Sequence, residues 1–133
     1  MEPVIVWYLR MSVVYFVAGV ATGFGMLLWP SESGYYLPVH VHLNLLGFMS
    51  MMIYGVGYHI LPKFSGRHIY SPQIMKVQFW FSNAGLIGMA VSWPFHMGGG
   101  VPIAETTLVL FSALSLIAII LFAINILKTV KSV

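Results

Sequence analysis

An all-α integral membrane protein, folded as a four-helix up-down bundle, is the architecture this chain predicts, on three observations. Hydrophobic residues make up 59% of the 133 positions and charged residues only 7%, whereas a soluble domain carries about a quarter charged residues. Apolar stretches close to the roughly 20 residues that cross a bilayer occur four times and use up most of the chain. Small residues recur inside them at steps of four, as in Gly19 and Gly23 with Ala21 and Gly25 offset, a spacing that lets helix backbones approach closely in lipid. Disorder is excluded, because disordered chains are poor in apolar residues. Residues 1–133 read as one membrane domain with no room for a soluble one.

The first span is expected from about Val4 to Trp29, closing at Trp29-Pro30. It is too long for a signal-peptide core and no basic segment precedes it, so it reads as a retained helix. A polar link, Ser31 to Gly34, leads through Tyr35 and Tyr36 to a second span at about 38–62, with Pro38 placed in its first turn, where proline is favoured. Lys63 to Pro72 is the hydrophilic loop. The third span covers about 73–95 and stops at the Gly98-Gly99-Gly100 run; the fourth covers about 103–126 and ends in Lys128 and Lys131. Gly47, Gly55 and Gly57 on the second span and Gly85 and Gly88 on the third add further notches. They serve helix packing or leave room for a flat, rigid cofactor.

Charge sets an orientation. Four spans with short loops put both termini and the middle loop on one side, and that side holds Arg10, Lys63, Arg67, Lys76, Lys128 and Lys131, all six cations. The opposite loops carry Glu32 and Glu105. By the positive-inside rule the termini are cytoplasmic, which fits a prokaryotic inner membrane. No basic run is long enough for nucleic acid.

Five histidines in so sparsely charged a chain are the strongest chemical signal. Polar side chains at membrane depth are costly unless paired, and imidazole is a common haem and metal ligand. His42, early in the second span, and His96, late in the antiparallel third, lie at similar depth and are placed to face each other across a b-type haem. The lack of cysteine excludes covalent c-type attachment, iron–sulfur clusters and disulfides. His40 and His42 are about 200° apart on a regular helix, so His42 is assigned to the iron and His40 to the rim or a neighbouring subunit. Asn44 is placed to support a ligand or a propionate. The outer side has no Lys or Arg, which leaves Tyr35, Tyr36, Trp29, Trp93, His40 and backbone amides as propionate donors. His59 lies roughly 25 Å along the axis from His42 and cannot serve the same iron. It reads as interfacial, with loop His68 its sole candidate partner for a second haem.

The run His40-Val41-His42-Leu43-Asn44-Leu45-Leu46-Gly47, continuing to Tyr58-His59-Ile60-Leu61-Pro62, resembles the second transmembrane helix of a haem–copper oxidase large subunit, nearest the nitric oxide reductase and cbb3 types. The resemblance implies that His42 ligates a low-spin haem b with Asn44 in attendance. It covers about 25 residues in this one helix. The family's binuclear-centre ligands lie on helices with no counterpart here, so autonomous oxygen or nitric oxide reduction is not expected, and His96 rests on depth and residue type alone.

The function these readings give is a haem b membrane protein in electron transfer or diatomic gas binding, with a redox partner protein or quinol as electron source. Four helices shield a haem poorly from lipid, so a homo-oligomer is expected. Two alternatives stand beside it: Cu(I) handling by Met49, Met51, Met52 and Met97 with histidine, or a non-catalytic subunit or assembly factor of a respiratory complex. A hydrolase is disfavoured, since only Glu2, Glu32 and Glu105 are acidic.

Overall fold

The structure is a computed structural model that describes residues 1–130; Lys131, expected just past the fourth helix, lies outside the described residues. Four long helical rods follow one another with no strand among the described residues. The first is α1, Pro3–Leu28; the second is α2, Ser33–His42, continued by a π-helical stretch, Leu43–Ser50, and by α3, Met51–Phe64. The third is α4, Pro72–Gly98, and the fourth α5, Ile103–Thr129.

Three rods, Pro3–Leu28, Pro30–Phe64 and Ile103–Thr129, are long and apolar enough to cross a membrane. α4 matches them in length but is more polar, and its polar residues Gln78, Asn83 and Ser92 are buried against other helices. The outer faces are the reverse of a soluble protein's, with Val13, Val17, Phe24, Leu110, Leu116 and Ile120 exposed. Lipid tails satisfy such a surface, and the chain is an integral membrane protein.

Helix ends follow local chemistry. Ser71 caps α4, its Oγ accepting from the Ile74 amide at 3.2 Å, with Pro72 in the first turn, where its missing N–H costs nothing. Gly99, at φ 69°, stops α4. α3 ends in a Schellman turn: Gly66, at φ 60°, donates to the Lys63 carbonyl at 3.2 Å, and the Arg67 amide to that of Pro62 at 2.9 Å.

The second rod departs from expectation at its start. It begins at Ser33, after a 3₁₀ turn at Pro30–Glu32, so Pro38 sits inside the helix. The polar link therefore winds into helix, because Ser33 Oγ bonds the Pro30 carbonyl at 2.8 Å and supports the first turn. The two helices that follow run to Gly98 and Thr129, three residues beyond the expected ends in each case.

Polar contacts between rods stand in for a hydrophobic drive that lipid does not provide. The Tyr8 hydroxyl bonds the Met75 carbonyl at 2.9 Å and also Gln78 Oε1. Tyr15 donates to Asn83 Oδ1 at 2.6 Å. Asn125 clamps the connection before α4: its Oδ1 accepts from the Ser71 amide at 3.0 Å and its Nδ2 donates to the Ser71 carbonyl at 2.9 Å. Thr129 Oγ1 accepts from the Tyr70 amide at 3.0 Å. These contacts hold the end of α5 beside the start of α4.

Asn125→Ala removes both of its hydrogen bonds to the Ser71 backbone at a fully buried position and strands the Ser71 amide. It is expected to cost about 1–3 kcal/mol, the range for stranding buried polar groups, read as a lower melting temperature in detergent. Tyr15→Phe, which strands one side-chain acceptor, is expected to cost nearer the 0.6 kcal/mol or so typical of a single interhelical bond in a bilayer.

Six of the small-residue notches are filled by protein. A β-carbon on Gly19 would meet Asn44 Nδ2 at 2.6 Å, and one on Gly23 would meet His40 Cε1 at 2.7 Å. On Gly47 it would meet Tyr15 Cβ at 2.6 Å, and on Gly55 Leu9 Cδ2 at 2.8 Å. Gly85 and Gly88 receive Ser115 and Phe111 of α5. These six notches serve packing, whereas Gly25 meets nothing within 4 Å and lines an open cavity.

Candidate functional site

The second rod presents its two early histidines to opposite neighbours, as two residues 200° or so apart must. His40 faces α1, its Nδ1 2.7 Å from the Gly19 carbonyl and its ring over Gly23. His42 faces α4, its ring centroid 6.0 Å from that of Trp93. Trp93 in turn lies 5.7 Å from the His96 ring. Both predicted ligands thus meet the same indole, one early in the second rod and the other near the end of α4.

The hydrogen bond of His42 decides its chemistry. Its Nδ1 is 2.7 Å from the Pro38 carbonyl, one turn back. A carbonyl only accepts, so Nδ1 carries the proton and Nε2 keeps its lone pair. A backbone carbonyl on the far nitrogen is the usual support for a ligating imidazole, fixing both tautomer and ring orientation. His59 is the opposite case, since its Nε2 accepts from Lys63 Nζ at 3.0 Å and is already taken.

Immediately after His42 the rod widens into its π-helical stretch. Side chains intrude on the backbone ladder there: Asn44 Nδ2 donates to the His40 carbonyl at 2.8 Å, and Ser50 Oγ to the Leu45 carbonyl five residues back at 2.9 Å. Such insertions deform helices, and π turns are frequent at functional sites.

The six predicted site residues divide into two groups. His42, Trp93 and His96 gather between the second rod and α4. His40, Asn44 and Tyr36 occupy the α1 side. Asn44 sits against Gly19 and bonds the His40 carbonyl, so it attends His40, not His42, because residues four apart share a helix face. His40 packs on α1 of its own chain. Tyr36 borders an open cavity of about 390 Å³ with Thr22, Met26, Trp29 and Glu32.

Trp93 Nε1 is buried without a hydrogen-bond partner. Buried polar groups are nearly always paired, so this orphan donor beside two imidazoles marks a place for an acceptor. The donor set accordingly fits a haem, with an imidazole lone pair for the iron and an indole N–H for a propionate oxygen. Trp93 touches both rings, so a macrocycle held by His42 and His96 together also requires the indole to turn aside. No group of three or more His, Cys, Asp or Glu suited to a metal ion is present among the described residues. The methionines are dispersed: Met51 is fully buried, while Met49 and Met97 are about half exposed.

The sequence reading missed the network of Tyr8, Tyr15 and Tyr58 with Gln78, Asn83 and Asn125. Three amides within apolar spans were the available signal, since polar groups at that depth need partners.

Comparison with known proteins gives one partial relationship. Over 56 residues, 41% of this chain, it is 38% identical to a cytochrome c oxidase subunit 1 homolog of Agrobacterium tumefaciens (strain T37). The match spans 10% of that protein's length. This supports a haem–copper oxidase-like relationship. No family model matches the chain, and no solved structure does.

Proposed function

We propose that this chain is a haem b-binding membrane protein resembling a minimal haem–copper oxidase-like module, related most nearly to the nitric oxide reductase and cbb3 types. It acts in electron transfer or in binding nitric oxide or dioxygen. The observation that carries the reading is His42, whose Nδ1–H is tied to the Pro38 carbonyl and whose Nε2 is thereby left as a ligand. The partial match to an oxidase subunit homolog makes haem the natural occupant. His96, from the same chain or another copy, would hold the iron together with His42, and the Trp93 indole N–H, once turned aside, would donate to a propionate. Haem would supply a one-electron couple, or an open iron position for a diatomic gas if only one imidazole binds.

This chain's own residues supply orientation and exclusion of water. The Pro38 carbonyl holds the His42 ring, Asn44 and His40 lock the second rod onto α1, and the aromatic outer end shields the site. Residues 1–133 form a single up-down domain with cytoplasmic termini in a prokaryotic inner membrane. Homo-oligomers cover the lipid-facing side of the site, and a redox partner protein or quinol delivers the electron. Autonomous oxidase or reductase activity is not part of the proposal.

The test is an optical spectrum of protein purified from haem-replete cells, oxidised and dithionite-reduced, with and without CO. A sharp low-spin b-type spectrum indifferent to CO is expected for two strong ligands. His96→Ala is then expected to keep the pigment and become CO-responsive, because it vacates one axial position. A CO-responsive wild type would instead place the protein among gas binders with one ligand.

A second reading has its own support. A match confined to a tenth of a large subunit also suits a non-catalytic subunit or assembly factor of a respiratory complex. There the purified protein would be colourless, and His42→Ala would impair complex assembly.

A further inference from the structure

The inner end of the bundle holds a second cavity, of about 420 Å³, where the start of α1, the end of α3 and the 65–71 connection meet. Its apolar wall includes Ile5, Pro62 and Ile69, and its rim carries Lys63, Arg67 and His68 against one carboxylate, Glu2. The Schellman bonds satisfy the Pro62 and Lys63 carbonyls, so the α3 terminus presents cations there rather than bare oxygens. Lys63 gives one N–H to His59, which steadies the ammonium and leaves its other protons available. The Arg67 guanidinium adds a planar fork matched to phosphate oxygens.

From this arrangement we propose that the cavity binds the phosphodiester headgroup of an acidic phospholipid. Lys63 and Arg67 contact the phosphate, and the glycerol region and upper acyl chain lie along Ile5, Pro62 and Ile69. The cavity is amphiphilic in the sense a lipid needs, and it opens at the ends of helices that cross the bilayer. Free phosphate shares the headgroup's charge but has no use for the apolar wall. The inference does not depend on haem binding.

The test reconstitutes the full chain in phosphatidylcholine bilayers with a trace of spin-labelled phosphatidylglycerol or spin-labelled phosphatidylcholine. The motionally restricted fraction of each label is read by electron paramagnetic resonance. Selective restriction of phosphatidylglycerol is expected, falling roughly fivefold for each cation removed, the effect of one basic side chain near an anionic surface. Lys63→Gln/Arg67→Gln should therefore abolish the preference. Lys128→Gln should keep it, since that ammonium lies over the Tyr70 ring, 4.6 Å from its centroid. If the double variant does not fold, judged by circular dichroism, Arg67→Gln alone carries the test. Equal restriction of both lipids overturns the proposal, as does selectivity that survives loss of the rim cations or falls equally in Lys128→Gln. Displacement of the label by millimolar inorganic phosphate would reassign the site to the free anion and overturn the lipid.

Discussion

His42→Ala is expected to yield a folded, membrane-inserted bundle that has lost its haem. The side chain's one hydrogen bond is to a carbonyl of its own helix, so its removal strands little. Losing an outer-shell partner already costs about 10–100-fold in metal affinity, and losing the ligand itself should exceed that. The haem-to-protein ratio should therefore collapse while the melting temperature hardly moves. His40→Ala reverses the pattern. It empties the contact with Gly23 and breaks the bond to the Gly19 carbonyl, so it should lower stability by about 1 kcal/mol or somewhat more and retain the pigment. Haem content and thermal melts of the two variants, measured together, separate ligand from strut. Loss of pigment in His40→Ala with retention in His42→Ala would invert the assignment.

Gly85→Val is expected to be the most damaging single change to the fold. A β-carbon there would lie 2.3 Å from Ser115 Oγ, 2.9 Å from the Ser115 amide nitrogen and 3.0 Å from the Phe111 carbonyl oxygen. Side chains can turn away, but two of these three atoms are backbone, so α5 as a whole must retreat from α4. Overpacking of this kind costs about 1–3 kcal/mol and occasionally more. Here it also opens the interface of the two helices that pack most extensively on each other. Gly98→Ala is the control, since its β-carbon would meet nothing within 4 Å. The comparison is read as the midpoint of unfolding in graded denaturing detergent. Equal midpoints for the two variants would mean that α4 and α5 are not seated as described.

The helices were legible in the sequence because apolar length and Gly or Pro punctuation are local signals. The four rods, the stop at Gly99 and the break after Leu28 all follow from them. The opposite facing of His40 and His42 followed from the period of the helix. The same arithmetic places Asn44 four residues after His40 and on its face, yet the reading of the residues set Asn44 beside His42, and the resemblance to an oxidase helix agreed with it. The early start of the second rod was not legible, because it depends on how Ser33 bonds the turn before it. The π-helical stretch was equally hidden, since it arises where side chains compete for backbone carbonyls. Packing also decided the notches: a glycine step of four is compatible with a ligand slot or a close helix contact, and only neighbours such as Asn44, Tyr15 and Phe111 distinguish them.

The central claim is that the His42 imidazole, and not that of His59, is required to hold the haem iron. It is tested most directly by chemical rescue. His42→Gly, purified without pigment, is incubated with haem and free imidazole, and its reduced spectrum is compared with that of His59→Gly treated alike. The account predicts that imidazole restores a b-type spectrum to His42→Gly, and that His59→Gly is pigmented before any imidazole is added. A His42→Gly protein that is already fully pigmented, or pigment that depends on His59, would contradict it.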